Sequence, residues 1–302
     1  MARGLRILPL AISLVRLAQP ADAPKIVFDA LGQTTIQQRL QAVPRKLVDR
    51  VATLESFFHE AGCDGDRFTE RPLPRSKAPN PICTLPGETD SRIVVGGHLD
   101  SIETGMGAVD DWSGAVLLPS LYQSLKRLPR RHRFLFVGFA AEEEGLVGSR
   151  HYVDKLSRQD VHRIHAMINL ECLGVGPPEV WVSRANKRLL DAYAVVASIL
   201  HVPVAGMNVD RVGDDDSHSF LNYGVPVLTI HSLTRDTLRI IHHPSDKVDA
   251  MRPDDYYTAY RMAVAYLAYL DAVLEWRGFA ASFSDQPSAL GGSPRGTRAI
   301  GA

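Results

Sequence analysis

The chain reads as an α/β protein, a mostly parallel mixed sheet covered by helices on both faces. Three observations predict this. Arg92–Gly97 and His132–Ala140 are continuous apolar runs, the pattern of strands buried on both faces. Each is followed by a segment with helical periodicity, and strands alternating with helices argue a parallel sheet. Charged residues stand directly beyond the runs: His98 and Asp100 after the first, Glu142, Glu143 and Glu144 after the second. Open α/β sheets bind ligands beyond the carboxyl ends of their strands.

Taken in order, the chain opens with MARGLR, an apolar ILPLAISLV and Ala21-Asp22-Ala23. Residues 1–23 therefore read as a signal peptide, implying a secreted or periplasmic protein. The alternative is a disordered or weakly helical leader on a cytoplasmic one. Lys25–Val43 reads as short helical pieces. Pro44–Ala61 reads as a helix, with Leu47, Val51, Leu54, Phe57 and Phe58 at helical spacing and Pro44 suited to the first turn. Prolines 72, 74, 79, 81 and 86 exclude a long helix between Cys63 and Gly87, where Ile82–Leu85 suits an edge strand. A Cys63–Cys83 disulfide across this stretch would suit an exported protein; two buried free thiols are the alternative. Cys172 reads as a buried small hydrophobe.

Strand Arg92–Gly97 then leads to helix Trp112–Leu128, and strand His132–Ala140 to helix Val147–Leu156. Strand Ile164–Asn169, strand Glu179–Val182, helix Lys187–Leu200, strand Val225–Ile230 and helix Pro253–Trp276 complete a single domain over 24–279. The Gly-, Ser- and Pro-rich residues 280–302 read as a disordered tail. Lys+Arg and Asp+Glu both total 34 in 302 residues. A formal charge of zero carries no signature of nucleic acid or an anionic membrane surface. No apolar run reaches the roughly 18 residues of a membrane span.

The acids have a plain reading each: Asp110 and Asp111 suit the cap and first turn of a helix, and a lone His98 suits a structural hydrogen bond. Together they form one His-and-carboxylate set aimed at one crevice, the donor chemistry of zinc. HLDS at His98–Ser101, GAVDDWSG at Gly107–Gly114 and AAEEEGLVGS at Ala140–Ser149 stand in that order, followed by NLECLG at Asn169–Gly174 and HHPSD at His242–Asp246. This series resembles the two-zinc aminopeptidases of the bacterial leucyl aminopeptidase type, whose superfamily includes carboxypeptidase Q and the glutaminyl cyclases. The resemblance spans roughly Lys25 to Trp276.

The resemblance implies a zinc-exopeptidase fold, two zinc ions per chain and a peptide substrate cut at its N-terminal bond. It implies Asp110 as the carboxylate bridging the ions, His98 and Glu171 completing one site, and Glu143 and His242 the other. His242 is preferred to His243 because the motif's His lies four residues before its Asp, here Asp246. Glu142 takes the general-base role, receiving a proton from water and passing it to the leaving amine. Asp100 is expected to hold the second ring nitrogen of His98. The glycines of these motifs suit close approach of loops. Glu171 departs from the usual Asp, Ser217 stands where the family often has His with His218 displaced by one, and Arg211 is a candidate for the carbonyl-polarising tyrosine. Two alternatives stay open: a glutaminyl cyclase with one zinc, and a binding module without catalysis.

Overall fold

The computed structural model describes residues 26–74, 76–203, 205–210 and 213–274. One sheet holds β1 (Phe68–Arg71), β2 (Asn80–Leu85), β3 (Arg92–His98), β4 (Arg133–Phe139), β5 (Ile164–Leu170), β6 (Glu179–Val180) and β7 (Val227–His231). The strand order is β1-β2-β4-β3-β5-β7-β6. β4, β3, β5 and β7 run parallel, while β2, β1 and β6 join antiparallel. The chain leaves β3 for one neighbour, β4, and returns from β4 to the other, β5. That reversal puts the ligand crevice beyond the end of β3.

The apolar runs are buried on both faces, as their continuity predicts. Ile93 and Val95 of β3 belong to one core and Val94 to the other. The larger core is covered by α1 (Gln33–Gln41), α2 (Leu47–Glu60), α4 (Leu117–Leu125), α7 (Lys187–Leu200) and α9 (Pro253–Val273). The smaller is covered by α5 (Val147–Asp154), α6 (Arg158–His162) and α8 (Asp216–Leu221).

Several boundaries differ from the sequence reading. The helix expected over Trp112–Leu128 is a short α3 (Ser113–Ala115) followed by α4, with a break at Val116. Asp110 and Asp111 have non-helical backbone, because side chains from elsewhere hold this loop by its N–H groups. Pro44 is not in the first turn of α2; Lys46 is the extended residue before the helix. Nor is β2 an edge strand, since FTER forms β1 outside it. Pro81 is tolerated because the ladder from β2 to β4 begins only at Ile82. The cysteine alternatives resolve to a Cys63–Cys83 disulfide, Cα–Cα 6.2 Å, tying the end of α2 to β2. No helix among the described residues is long and apolar enough to cross a membrane. The segments 1–23 and 280–302 lie outside the described residues.

Candidate metal centre

The parallel strands end together, and their first residues beyond the sheet converge. His98 closes β3, Glu142 and Glu143 lie just past β4, and Glu171 follows β5. Asp110 enters on the loop before α3, and His242 on the loop before α9. Asp110 stands at the middle of the cluster. Its Oδ1 lies 3.0 Å from His98 Nε2, and its Oδ2 lies 3.1 Å from His242 Nε2. Glu171 Oε1 is 3.3 Å from His98 Nε2, and Glu143 Oε2 is 3.3 Å from His242 Nε2. Two three-residue groups thus share one carboxylate: His98, Asp110 and Glu171, and Asp110, Glu143 and His242. A third grouping of possible donors, His98, Glu142 and Glu143, overlaps both.

The electrostatics are those of closely crowded donors. Burial opposes ionisation of Asp110, yet the two imidazoles hold it below the usual carboxylate range. The hydrogen bond to Asp110 lifts His242 to about 9. Burial disfavours charge on His98, but the facing Glu171 and Glu142 hold its pKa well above the ordinary value. Burial, with Asp110 and Asp215 nearby, pushes Glu171 up to about 7. Burial and the charges of Asp216, Glu171 and Asp110 push Glu142 up to about 10. Glu143 Oε1 is buried without a hydrogen-bond partner. Such a set suits a divalent ion, whose charge would replace these protons.

Asp100 faces the second ring nitrogen of His98 and has a further task. Its Oδ1 is 3.7 Å from His98 Nδ1, longer than a hydrogen bond but close enough for an ion pair, and against the effect of burial the facing imidazole holds the Asp100 carboxyl below its ordinary range. In addition its two oxygens each accept a backbone N–H at 2.9 Å, from Glu142 and from Glu143. Its oxygens are the acceptors for two neighbouring N–H groups as well as facing the imidazole. It therefore ties the end of β3 to the turn that carries both glutamates.

Asp111 acts in the same way. It accepts N–H groups of His98 at 3.1 Å, Gly114 at 2.9 Å and Cys172 at 3.0 Å. Its bond to Gly114 is the expected helix-start role; Asp110 has no such role. Gly114 has to be glycine, since a Cβ there would lie 2.3 Å from the Leu170 carbonyl oxygen. Asp246, read from the sequence only as a marker for His242, accepts Val109 N–H at 2.7 Å and Asp110 N–H at 3.3 Å. Arg50 of α2, also missed, lies buried beneath the loops after β3 and before Asp110. A signal for it existed: residues 47, 50, 51, 54 and 58 form one helical stripe on which it is the only charge. Ala141, Leu146, Cys172 and His242 all have φ between 47° and 60°. Left-handed backbone costs about 1–3 kcal/mol at a non-glycine residue, and here it clusters where side chains are turned toward the centre.

The other candidates separate. His243 bonds Ser245, and His218 bonds Asp214; neither joins the cluster. Arg211 lies outside the described residues. Asp216 is fully buried with neither carboxyl oxygen hydrogen-bonded. A cavity of about 320 Å³ opens over the centre. Leu146, Trp181, Val209, Leu233 and Ile241 make its apolar wall, and Glu142, Asp214 and Asp215, with the cation Arg150, line its polar side. Arg184 lies 4.0 Å over the Trp181 ring and pairs with Asp210 and Asp214, bracing that wall.

Known proteins resemble the chain in sequence and in fold. Aminopeptidase Y of Saccharomyces cerevisiae is 28% identical over 151 residues, covering 47% of this chain and 28% of the relative. LapA of Legionella pneumophila superposes with a TM-score of 0.70 at 22% identity, over 80% of this chain and 73% of that one. A glutaminyl cyclase from an Acidobacteriales bacterium superposes with a TM-score of 0.66 at 20% identity, over 84% and 98%. The chain spans about a third or less of the length of the curated relatives it matches. The model of peptidase family M28 matches residues 80–267, more than half of the chain and all the candidate donors, and the chain belongs to that family.

Proposed function

We propose that this protein is a zinc-dependent aminopeptidase that hydrolyses the N-terminal peptide bond of its substrate. The observation that carries the reading is Asp110, whose two oxygens face two separate imidazole–carboxylate pairs. That donor set suits two zinc ions, His98, Asp110 and Glu171 holding one and Asp110, Glu143 and His242 the other. Bound zinc supplies Lewis acidity, polarising a carbonyl and bringing the pKa of water to about 7. The residues do the rest. Glu142, outside both groups, takes a proton from water and delivers it to the leaving amine. Asp100 holds Glu142 and Glu143 by their N–H groups. The carboxylates on the polar side of the cavity suit a free α-ammonium, and the wall from Leu146 to Ile241 suits an apolar side chain. The Cys63–Cys83 disulfide supports work in an oxidising compartment.

The second reading is glutaminyl cyclisation, favoured by the match to 98% of the length of a cyclase at the level of fold. Cyclisation needs one polarised carbonyl and no activated water, so it leaves the second donor group without a task. The test is a joint one. The protein should bind about two zinc ions, cleave aminoacyl anilides, lose that activity when the α-amine is blocked, and cut glutaminyl peptides to free glutamine. One tight zinc, inert anilides and formation of pyroglutamate would replace the hydrolytic reading with the cyclase.

A further inference from the structure

Arg50 is 1% exposed, and among the described residues its hydrogen bonds go to carbonyl oxygens and none to a carboxylate. All five of its N–H donors are spent on carbonyl oxygens. Nη1 donates to Leu99 at 2.9 Å and to Asp100 at 3.3 Å, in the loop that leaves His98. Nη2 donates to Gly107 at 3.2 Å and to Met106, in the loop that leads to Asp110. Nε donates to Pro44 at 2.9 Å, anchoring the group to the start of its own helix. A buried cation with only neutral partners is expensive unless its surroundings are anionic. Burial lowers its pKa, and the carboxylates of Asp246, Asp100, Asp111 and Asp110 oppose that shift. Gly107 carries a second sign of the fit: its φ is +57°, and a Cβ there would lie 2.7 Å from Arg50 Nη2.

We propose that Arg50 is a positioning residue of the metal centre, its planar fork setting the spacing between the His98 loop and the Asp110 loop. The proposal rests on the zinc reading given above. One flat group with donors on both sides fixes two loops relative to each other. A lysine has the charge but only three donors on one atom, so it cannot hold four loop carbonyls at once. The effect on the ions goes through the two loops; Arg50 touches neither zinc nor substrate.

The test compares the parent with Arg50→Lys and Arg50→Met in zinc titration, followed by calorimetry, and in kinetics at saturating zinc. Arg50→Lys is expected to weaken zinc binding by about 10–100-fold, as loss of an outer support does. At saturating zinc its kcat for an aminoacyl anilide should fall by about tenfold or more, with KM changed less, because misplacement is felt mainly in the transition state. Arg50→Met should be worse in both. If the parent binds no zinc, the zinc reading itself fails, whatever Arg50 does. If the parent binds zinc and Arg50→Lys matches it in affinity and kcat, with only the melting temperature lowered, the proposal is overturned. Failure of both variants to fold overturns it too, since Arg50 would then be a residue of the fold.

Discussion

Asp100→Asn isolates a support of the centre with a change of one atom. The carboxylate accepts two backbone N–H groups, one on each oxygen, both at 2.9 Å. Asparagine keeps one acceptor and presents an NH₂ group to the other N–H. Bonds to a charged acceptor contribute about 1.5–3 kcal/mol and neutral ones about 1, so the surviving bond weakens by about 1 kcal/mol. The facing N–H loses its partner, at a cost of about 1–3 kcal/mol. The sum, about 2–4 kcal/mol, corresponds to a melting temperature lower by about 4–16 °C at about 2–4 °C per kcal/mol. A turn displaced by about 1 Å carries Glu142 and Glu143 with it, and such misplacement costs about 10²-fold in rate. Thermal melting of zinc-loaded protein and anilide turnover at saturating zinc measure both quantities. An Asp100→Asn variant with parental melting and parental kcat would show that the two N–H groups need no charged acceptor.

Glu142→Gln should keep two zinc ions and lower kcat by about 10²–10⁴-fold, the usual share of a general base; loss of zinc in parallel would make Glu142 a ligand. Without zinc the variant should melt higher than the parent, because a carboxyl pushed up to about 10 in the folded state must take up a proton on folding at neutral pH and glutamine need not. Glu171→Ala should lower zinc stoichiometry and Glu171→Asp should retain it, as read by metal analysis; unchanged zinc in the alanine variant removes Glu171 from the set. The metal-free protein should melt at progressively lower temperature as pH rises from about 6 to 9. His242, lifted to about 9, and Glu171, lifted to about 7, bind protons more tightly folded than unfolded, so the stability they lend is lost as pH passes those values. Zinc should abolish this slope, since its binding displaces the same protons. A flat or rising profile for the metal-free protein contradicts the assignment.

The seven residues singled out from sequence all come to one crevice, and their order along the chain explains why. All but His242, which stands in the long connection between β7 and α9, lie at or just beyond the end of a parallel strand or in a Gly-rich loop beside one, so a local pattern carries a global position. Asp100 shows the limit of that reasoning. Two residues from His98, it was within reach of the imidazole by spacing alone. Only the packing of β4 beside β3 brought the Glu142 and Glu143 N–H groups to its oxygens. The edge strand was missed for a similar reason, because FTER has little apolar pattern and is a strand by virtue of its neighbour.

By itself the sequence determined the fold class and the family, because periodic burial and motif order are local properties of the chain, and its resemblance to that family named six residues that the structure brings to one crevice. The tertiary structure alone decided what supports them. Arg50, Asp246 and Asp111 each hold at least one backbone group 50 or more residues away. A hydrogen bond to a main-chain N–H or carbonyl leaves no mark on the residue type of its partner. Buried polar groups must be satisfied somewhere, but the sequence states only that they exist. Which carbonyls a guanidinium collects, and which N–H groups a carboxylate holds, is settled when helices and loops close over the end of the sheet.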